Sequence, residues 1–187
     1  MAGVHALKGA KELAAFAKKL GVGDCKVYKS VADLCKNVDA VAIFAPNFAR
    51  MEIMQKIVDA VKAGAAIKGI ICEKPLGRTV AEAEALCALA KQTKLPTAYF
   101  ENQLFMKSIR QQREQLAPVQ QAMGPLILAR SAEEHSGPDE GWFWDPTRQG
   151  GGVLCDMACH SIACGWFVLT PFGKPTTFLK PVSVSAE

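Results

Sequence analysis

Apolar and polar positions follow two alternating patterns over residues 25–101. Short apolar runs, which are typical of strands, occur at 26–28, 38–45, 67–72 and 97–100. Apolar residues at helical spacing predict helices at 7–20, 30–34, 54–64 and 79–95. Because strands that alternate with helices are typical of βαβ units, the pattern predicts an α/β fold with a doubly wound parallel sheet.

The same segments predict which residues are buried. The near-continuous apolar run 38–45 predicts a strand covered on both faces. Ser30 is a predicted N-cap, and Thr79 with Glu82 forms a predicted capping box. Helical spacing turns a set of apolar side chains toward the core: Leu13, Phe16, Ala17 and Leu20 in the first helix, and Val80, Ala83, Leu86 and Ala90 in the fourth.

The pattern changes near residue 100. Beyond it, spacing predicts helices at 106–117 and 153–169, a loop at 134–149, and strands at 126–131 and 178–185. The alternation of strand and helix is lost there, so we predict two domains, 1–102 and 103–187.

The composition excludes several classes of protein. Half of the 187 residues are hydrophobic, 21% are charged, and the formal net charge is +4. This apolar content is enough for a core, which excludes a disordered chain. Basic residues are mixed with acidic ones, and no nucleic-acid reading motif occurs, so we expect no nucleic-acid partner.

The cysteines and the N-terminal residues bear on location. Seven cysteines, an odd number, lack C-x-x-C spacing, and we expect free, buried thiols in a reducing compartment. No signal-peptide core is present, and every apolar stretch is interpreted as too short to span a membrane. The sequence therefore predicts a cytoplasmic protein without a membrane partner.

Polar residues follow two of the predicted strands directly. Pro46 and Asn47 come after the run 38–45, and Glu73 and Lys74 come after the run 67–72. Open α/β sheets bind ligands beyond the carboxyl ends of their strands, so these residues are candidate ligand contacts. The alternative is an ion pair between glutamate and lysine at the rim of the sheet.

A second pair of candidates lies in the last predicted helix. Asp156 and His160 are four residues apart, which places them on one face of a regular α-helix. A carboxylate beside an imidazole suits proton transfer from a hydroxyl near neutral pH. The alternative is a buried structural histidine beside a surface aspartate.

Cysteines in this helix raise a metal hypothesis. Cys155, Cys159 and Cys164 flank His160, and thiolate and imidazole are the ligands that zinc prefers. A tetrahedral site on one helix would need a partner elsewhere, such as His135 in the loop, so the sequence favours packing of small residues and predicts no metal site, with a thiolate–metal protein as the alternative.

Together these motifs resemble the Gfo/Idh/MocA family, the glucose–fructose oxidoreductase and inositol dehydrogenase group. The resemblance runs through VDAVAIFAPN at 38–47, EKPL at 73–76, ENQ at 101–103 and GGGVLCDMACHSI at 150–162. The order and spacing of the motifs agree over nearly the whole chain.

The resemblance implies a partial, Rossmann-like nucleotide-binding domain, followed by the start of an α+β substrate and oligomerisation domain. It implies hydride transfer between NAD or NADP and a hydroxyl carbon of a sugar, polyol or related compound, with a possible homo-oligomer. Lys74 would orient the substrate hydroxyl, His160 would be the acid/base, and Asp156 would help to hold the substrate. The residues implied to line the cofactor are Pro46, Asn47, Glu73, Lys74 and Asn102.

Two departures from the family pattern change the expectation. The chain has no G-x-G-x-x-G turn for the cofactor pyrophosphate, so the resemblance implies that the first strand, this turn and the second strand are absent. Arg50 stands where the family commonly has histidine. The alternative function is a non-catalytic remnant or interaction protein that retains the fold, since unpaired strand edges favour association with another chain.

Overall fold

The computed structural model describes residues 1–185, which divide into two compact units. The first unit comprises residues 1–100 and 142–150, and the second comprises 101–141 together with the residues from 151 onward. The segment 142–150 therefore belongs with the sheet of the first unit, although it lies far along the chain.

The strands of the first unit are short and parallel. They are β1 (Gly3–Val4), β2 (Lys26–Val27), β3 (Ala40–Ile43), β4 (Gly69–Glu73) and β5 (Thr97–Phe100). β1 pairs with β2, and a second sheet has the order β3-β4-β5. The parallel α/β arrangement predicted from the alternation is confirmed, whereas β1 was not predicted because Gly3 and His5 interrupt the apolar residues there, which leaves no apolar run.

The helices connect these strands, and further helices belong to the second unit. Those of the first unit are α1 (Ala10–Lys19), α2 (Val31–Cys35), α3 (Arg50–Lys62), α4 (Val80–Gln92) and α6 (Pro146–Gln149). Those of the second unit are α5 (Lys107–Met123) and α7 (Cys159–Leu169), the latter preceded by a π-helical turn at Leu154–Ala158.

The core of the first unit lies on one side of the β3-β4-β5 sheet. Val41 and Ile43 are buried there against residues of α2, α3 and α4, and Ile57 of α3 is fully buried. The alternate residues Ala40 and Ala42 are exposed. The prediction that this strand is covered on both faces is therefore wrong, because helices of the described residues pack on one face only.

Apolar residues on two helices are also more exposed than their spacing predicted. In α1 only Ala17 is buried, while Leu13, Phe16 and Leu20 are 45–58% exposed. In α4 Leu86 and Ala90 are buried but Val80 is 76% exposed. Helical spacing defines a common face, but a face is buried only where another element covers it.

Two predicted caps begin helices of the first unit. The Ser30 hydroxyl accepts from the Asp33 N–H at 3.0 Å, and the Thr79 hydroxyl accepts from the Glu82 N–H at 3.2 Å. The capping box is only half formed, because the Glu82 carboxylate accepts from the backbone N–H of Arg78 at 2.9 Å rather than from that of Thr79.

Removal of the Thr79 cap is expected to cost about 1 kcal/mol of unfolding free energy, since an N–H at the start of α4 loses its partner. Thr79→Ala tests this in urea denaturation followed by circular dichroism. Thr79→Ser keeps the hydroxyl and should lose only a few tenths of that amount. Equal losses in the two variants would show that the methyl group, not the cap, is what matters.

The strands predicted for the second unit are not formed. Residues 126–131 and 178–185 are irregular or 3-10 helical, and Ile127, Val182 and Val184 are at least 90% exposed. A strand requires a pairing partner, and neither segment has one among residues 1–185. The sequence also allows a strand over 182–186, whose last residue, Ala186, lies outside the described residues.

The segment Pro146–Leu169 corrects the prediction that every apolar stretch is too short to span a membrane. It is 24 residues long and contains an 18-residue window with a mean hydropathy of 1.5, which by length and composition is sufficient to cross a bilayer. Only Arg148 and Asp156 carry formal charge within it. Core helices of non-membrane proteins pass the same test, so this single segment gives no membrane assignment.

All seven cysteines are free, as predicted, but they are not uniformly buried. Cys35, Cys72 and Cys164 are buried, whereas Cys87 is exposed. Burial raises the pKa of the Cys35 and Cys72 thiols, so these two side chains are held in the neutral form that packs as a small apolar group.

Candidate active site

The buried guanidinium of Arg50 joins the carboxyl ends of two neighbouring strands. It donates three hydrogen bonds of 2.9 Å each, to the carbonyl oxygens of Ala45 after β3 and of Glu73 and Lys74 at and after the end of β4. Arg50 is 4% exposed, and this burial lowers its pKa. Three carbonyl acceptors compensate for the loss of water around the charged group.

Lys74 is positioned through this backbone contact. Glu73 and Lys74 are half-buried and each makes further interactions, and the peptide bond between Lys74 and Pro75 is cis. Since Arg50 binds the carbonyl oxygens of both residues, the chain direction at the end of β4 is fixed. The Lys74 side chain therefore extends from a backbone whose position is fixed.

Asn47 is placed beside this turn by the first 3-10 helix, Asn47–Ala49, which Pro46 precedes. Asn47 is 3% exposed, and its side-chain N–H donates to the carbonyl oxygen of Gln149 at 2.8 Å. This bond ties α6 to the end of β3. The rings of Phe48 and Trp142, 6.0 Å apart and edge-to-face, make a second contact between the same two segments.

In the second unit, His160 is paired with Glu101. The Nδ1 atom of His160 forms a hydrogen bond with the Oε1 atom of Glu101, and the two residues are 5% and 3% exposed. The same Oε1 accepts from the backbone N–H of Gln103 at 3.2 Å. The other carboxylate oxygen, Oε2, is buried without a hydrogen-bond partner among residues 1–185.

Asp156 lies in the π-helical turn before α7, and its half-buried side chain is engaged in an interaction. The predicted pairing of Asp156 with His160 assumed regular α-helical geometry, and a π turn changes the angle between residues four apart. The partner that the structure gives to the Nδ1 atom of His160 is Glu101, 59 residues earlier. Asn102, an implied cofactor contact, is exposed in the 3-10 helix Asn102–Phe105.

A family model decides the relationship suggested by these motifs. The model described as an oxidoreductase family with an NAD-binding Rossmann fold, GFO_IDH_MocA, matches residues 4–100. The chain belongs to the Gfo/Idh/MocA oxidoreductase family. The matched range contains the Arg50 contacts, Asn47 and Lys74, and it confirms the resemblance drawn from the sequence motifs.

Curated members of the Gfo/Idh/MocA family are similar to the chain at modest identity. An uncharacterised protein of Saccharomyces cerevisiae is 27% identical over 177 residues, which is 89% of this chain and 47% of that protein. D-glucoside 3-dehydrogenase of Escherichia coli is 29% identical over 133 residues, covering 70% and 36%. A 1,5-anhydro-D-fructose reductase of Ensifer adhaerens is 27% identical over 158 residues, covering 83% and 45%. The chain thus spans at most about half the length of these relatives.

Solved structures confirm the fold. GenD2 from gentamicin A biosynthesis, solved in complex with NAD, aligns with a TM-score of 0.72 and 23% identity over 91% of this chain and 46% of its own. Levoglucosan dehydrogenase in complex with NADH and levoglucosan aligns with a TM-score of 0.61 and 23% identity, covering 90% and 44%. At these identities the likeness establishes a Rossmann-type fold.

The fit of a dinucleotide to this Gfo/Idh/MocA chain is partial. The residues that the resemblance implies for the cofactor near the ends of β3 and β4 lie at or just after the carboxyl ends of these strands, where open α/β sheets bind ligands: Pro46, Asn47, Glu73 and Lys74. The sequence contains no G-x-G-x-x-G turn for the pyrophosphate.

The potential metal ligands differ from those that the sequence suggested. Among residues 1–185, ligand atoms of Glu101, Cys159 and His160 lie within 4.8 Å of one another, whereas Cys155 and Cys164 are not part of the group. The direct hydrogen bond between Nδ1 of His160 and Oε1 of Glu101 engages two of these three potential ligand groups. Burial also raises the pKa of the Cys164 thiol, and nearby carboxylates act in the same direction. The geometry favours proton sharing over metal binding.

Proposed function

We propose that the chain binds NAD or NADP at the carboxyl ends of β3 and β4 and takes part in hydride transfer to or from a sugar or polyol hydroxyl carbon. The observation that carries the proposal is Lys74, whose backbone is held by the buried Arg50 guanidinium at the end of β4. We assign 1–102 to nucleotide binding and 103–187 to substrate binding and oligomerisation.

Lys74 orients the substrate in this proposal. An ammonium group donates hydrogen bonds and carries a positive charge, so it binds a hydroxyl oxygen and stabilises the negative charge that develops as the proton leaves. Proline after Lys74 limits the backbone to few conformations, and Arg50 fixes the carbonyl oxygen before it. Both features reduce the conformational freedom that substrate binding would otherwise remove.

His160 is the proposed acid/base, and Asp156 helps to hold the substrate. An imidazole changes protonation near neutral pH, which suits transfer of the hydroxyl proton. The nicotinamide ring supplies the hydride acceptor or donor when the cofactor is bound. Pro46, Asn47, Glu73 and the exposed Asn102 are proposed cofactor contacts.

A sugar-like substrate is favoured by two of the curated relatives, whose names give a D-glucoside and 1,5-anhydro-D-fructose as their substrates. Exchange between a hydroxyl and a carbonyl is common to both reactions, and it needs the groups assigned to Lys74 and His160. We propose a cytoplasmic location, which agrees with seven free thiols.

A second candidate function is a non-catalytic protein that retains the fold to bind a partner. Among the described residues, the order β3-β4-β5 makes β3 and β5 the edge strands of their sheet, and unpaired strand edges favour association with another chain. Cofactor binding separates the two candidates.

Thermal melting with and without saturating NADH or NADPH tests cofactor binding directly. A ligand that binds only the folded state raises the melting temperature. At a ligand concentration 100 times Kd the free energy of unfolding increases by about 2.7 kcal/mol. The proposal expects such a shift, and expects Lys74→Ala to reduce it. Lys68→Ala is the matched control, because Lys68 lies at the opposite end of β4 in an exposed pair with Asp39. An unchanged midpoint with both cofactors would favour the non-catalytic candidate.

Turnover is tested by the appearance of NADH or NADPH absorbance with a panel of sugars and polyols, including D-glucosides and levoglucosan. The reverse direction uses 1,5-anhydro-D-fructose with reduced cofactor. Hydride transfer with at least one of these compounds is the expected result. Cofactor binding without any turnover would limit the function to nucleotide binding.

A further inference from the structure

We infer that Glu101 is a positioning residue, which holds His160 in the tautomer that carries its proton on Nδ1 and leaves Nε2 as the proton acceptor. The inference rests on the proposed function, in which His160 takes the hydroxyl proton. It adds a residue to the Gfo/Idh/MocA site that the motif pattern did not assign to proton transfer.

The hydrogen bond itself sets the direction of donation. An ionised carboxylate has only acceptor oxygens, so the Nδ1 atom of His160 must be the donor to Oε1 of Glu101. In a neutral imidazole the other ring nitrogen then carries a lone pair. Nε2 is thus the nitrogen that can receive a proton, and a carboxylate behind the ring stabilises the imidazolium that results.

The carboxylate is itself held in place. Its Oε1 accepts from the backbone N–H of Gln103, two residues along the chain. This bond restricts the position of the carboxylate at the start of the second unit. Both side chains are almost fully buried, at 3% and 7% exposure. Water therefore competes little for the Nδ1 proton, and the bond is stronger than it would be at the surface.

The second carboxylate oxygen of Glu101, Oε2, is a further feature of this pair. It is buried without a hydrogen-bond partner among residues 1–185, which is costly for a carboxylate that had only a packing role. A residue used only for packing would be an uncharged side chain of similar size. Oε2 of Glu133 is also without a hydrogen-bond partner among the described residues, so the specific argument for Glu101 is its bond to His160.

The three histidines of the chain allow a direct test, because the other two provide internal references. Nδ1 of His5 lies 3.0 Å from the carbonyl oxygen of Tyr28, which fixes it as a donor. Nδ1 of His135 accepts from the backbone N–H of Gly137 at 2.9 Å, which leaves the proton on Nε2. The chain thus contains one reference for each tautomer.

Long-range proton–nitrogen NMR correlations of the imidazole rings, recorded above about pH 8, where free imidazole is neutral, measure the tautomer of each histidine. We expect His160 to show the pattern of His5 in the wild-type chain. A pattern like that of His135 would overturn the inference. This measurement needs neither a variant nor activity.

Variants at Glu101 test the catalytic consequence. Glu101→Gln should lower kcat at least about tenfold, with a much smaller change in the KM for NADH, and should weaken the preference for the Nδ1 proton. Glu133→Gln is the matched control: Glu133 also lies in the second unit and accepts from the side chain of Gln103 at 2.8 Å. Equal changes in kcat for the two variants would contradict a specific role for Glu101.

Two further outcomes distinguish the role of Glu101 from metal binding and from the proposed function. A stoichiometric shift of the His160 and Cys159 signals by Zn²⁺ would show that the cluster is a metal site and would overturn the inference. A chain with the expected tautomer but no turnover on any sugar would refute the proposed function alone, since the carboxylate would still set the protonation of His160.

Discussion

Replacement of Arg50 by leucine is expected to lower the free energy of unfolding by about 3 kcal/mol or more. The substitution removes three hydrogen bonds from a charged donor and leaves three carbonyl oxygens at the ends of β3 and β4 without that partner. Leucine fills part of the volume and avoids burial of a charge, so the loss is smaller than the sum of three bonds. Urea denaturation followed by circular dichroism measures it.

Two control variants make the Arg50 experiment specific. Arg50→Lys keeps the charge but lacks the planar fork that reaches several carbonyls, so an intermediate loss is expected. Arg148→Leu removes an exposed arginine of the same unit, whose guanidinium lies 5.1 Å from the Phe48 ring centroid, and should cost less than about 1 kcal/mol. If Arg50→Leu cost no more than Arg148→Leu, the three carbonyl contacts would not be stabilising the fold.

Local pattern predicted most of the first unit. Apolar runs identified β3, β4 and β5, and Ser30 and Thr79 identified helix starts because a cap acts within three residues. These interactions are local, so the sequence alone contains the information.

The features that the sequence did not predict depend on distant partners. Arg50 was interpreted as a departure from the family histidine, yet it binds carbonyl oxygens 23 and 24 residues later. Glu101 and His160 are 59 residues apart, and no spacing rule connects them. The sequence did contain a signal for Arg50, because this charged residue lies between two apolar segments that were predicted to be buried. For Glu101 the available signal was its place directly after β5.

Burial was overpredicted for a related reason. Periodicity places Phe16 with Ala17 on the inward side of α1, and the apolar run places Ala40 and Ala42 within a sheet. Whether these side chains are buried depends on which other elements pack against them, and Phe16, Ala40 and Ala42 are exposed. The exposed face of the sheet and the unformed strand at 178–185 both reflect partners that the described residues do not provide.

Replacement of Lys74 by alanine is expected to lower turnover by about 100-fold or more while changing the free energy of unfolding by less than about 1 kcal/mol. Lys74 is half-buried, and the contact that holds this turn uses its backbone carbonyl, which alanine retains. The ammonium group, in contrast, is what the proposed reaction uses to bind the substrate hydroxyl. Steady-state kinetics and urea denaturation of the same preparation measure the two quantities.

Lys68→Ala separates loss of this ammonium from loss of a positive charge on the sheet. Lys68 and Lys74 lie at opposite ends of β4, and Lys68 forms a surface pair with Asp39 at 2.8 Å, with both side chains more than 75% exposed. Such pairs contribute little to stability, so turnover and unfolding should both remain close to wild type. Lys74→Arg should not restore turnover, because a guanidinium places its donors differently. A parallel fall of turnover and stability in Lys74→Ala would mean that Lys74 supports the fold, and the substrate hydroxyl would then need another partner.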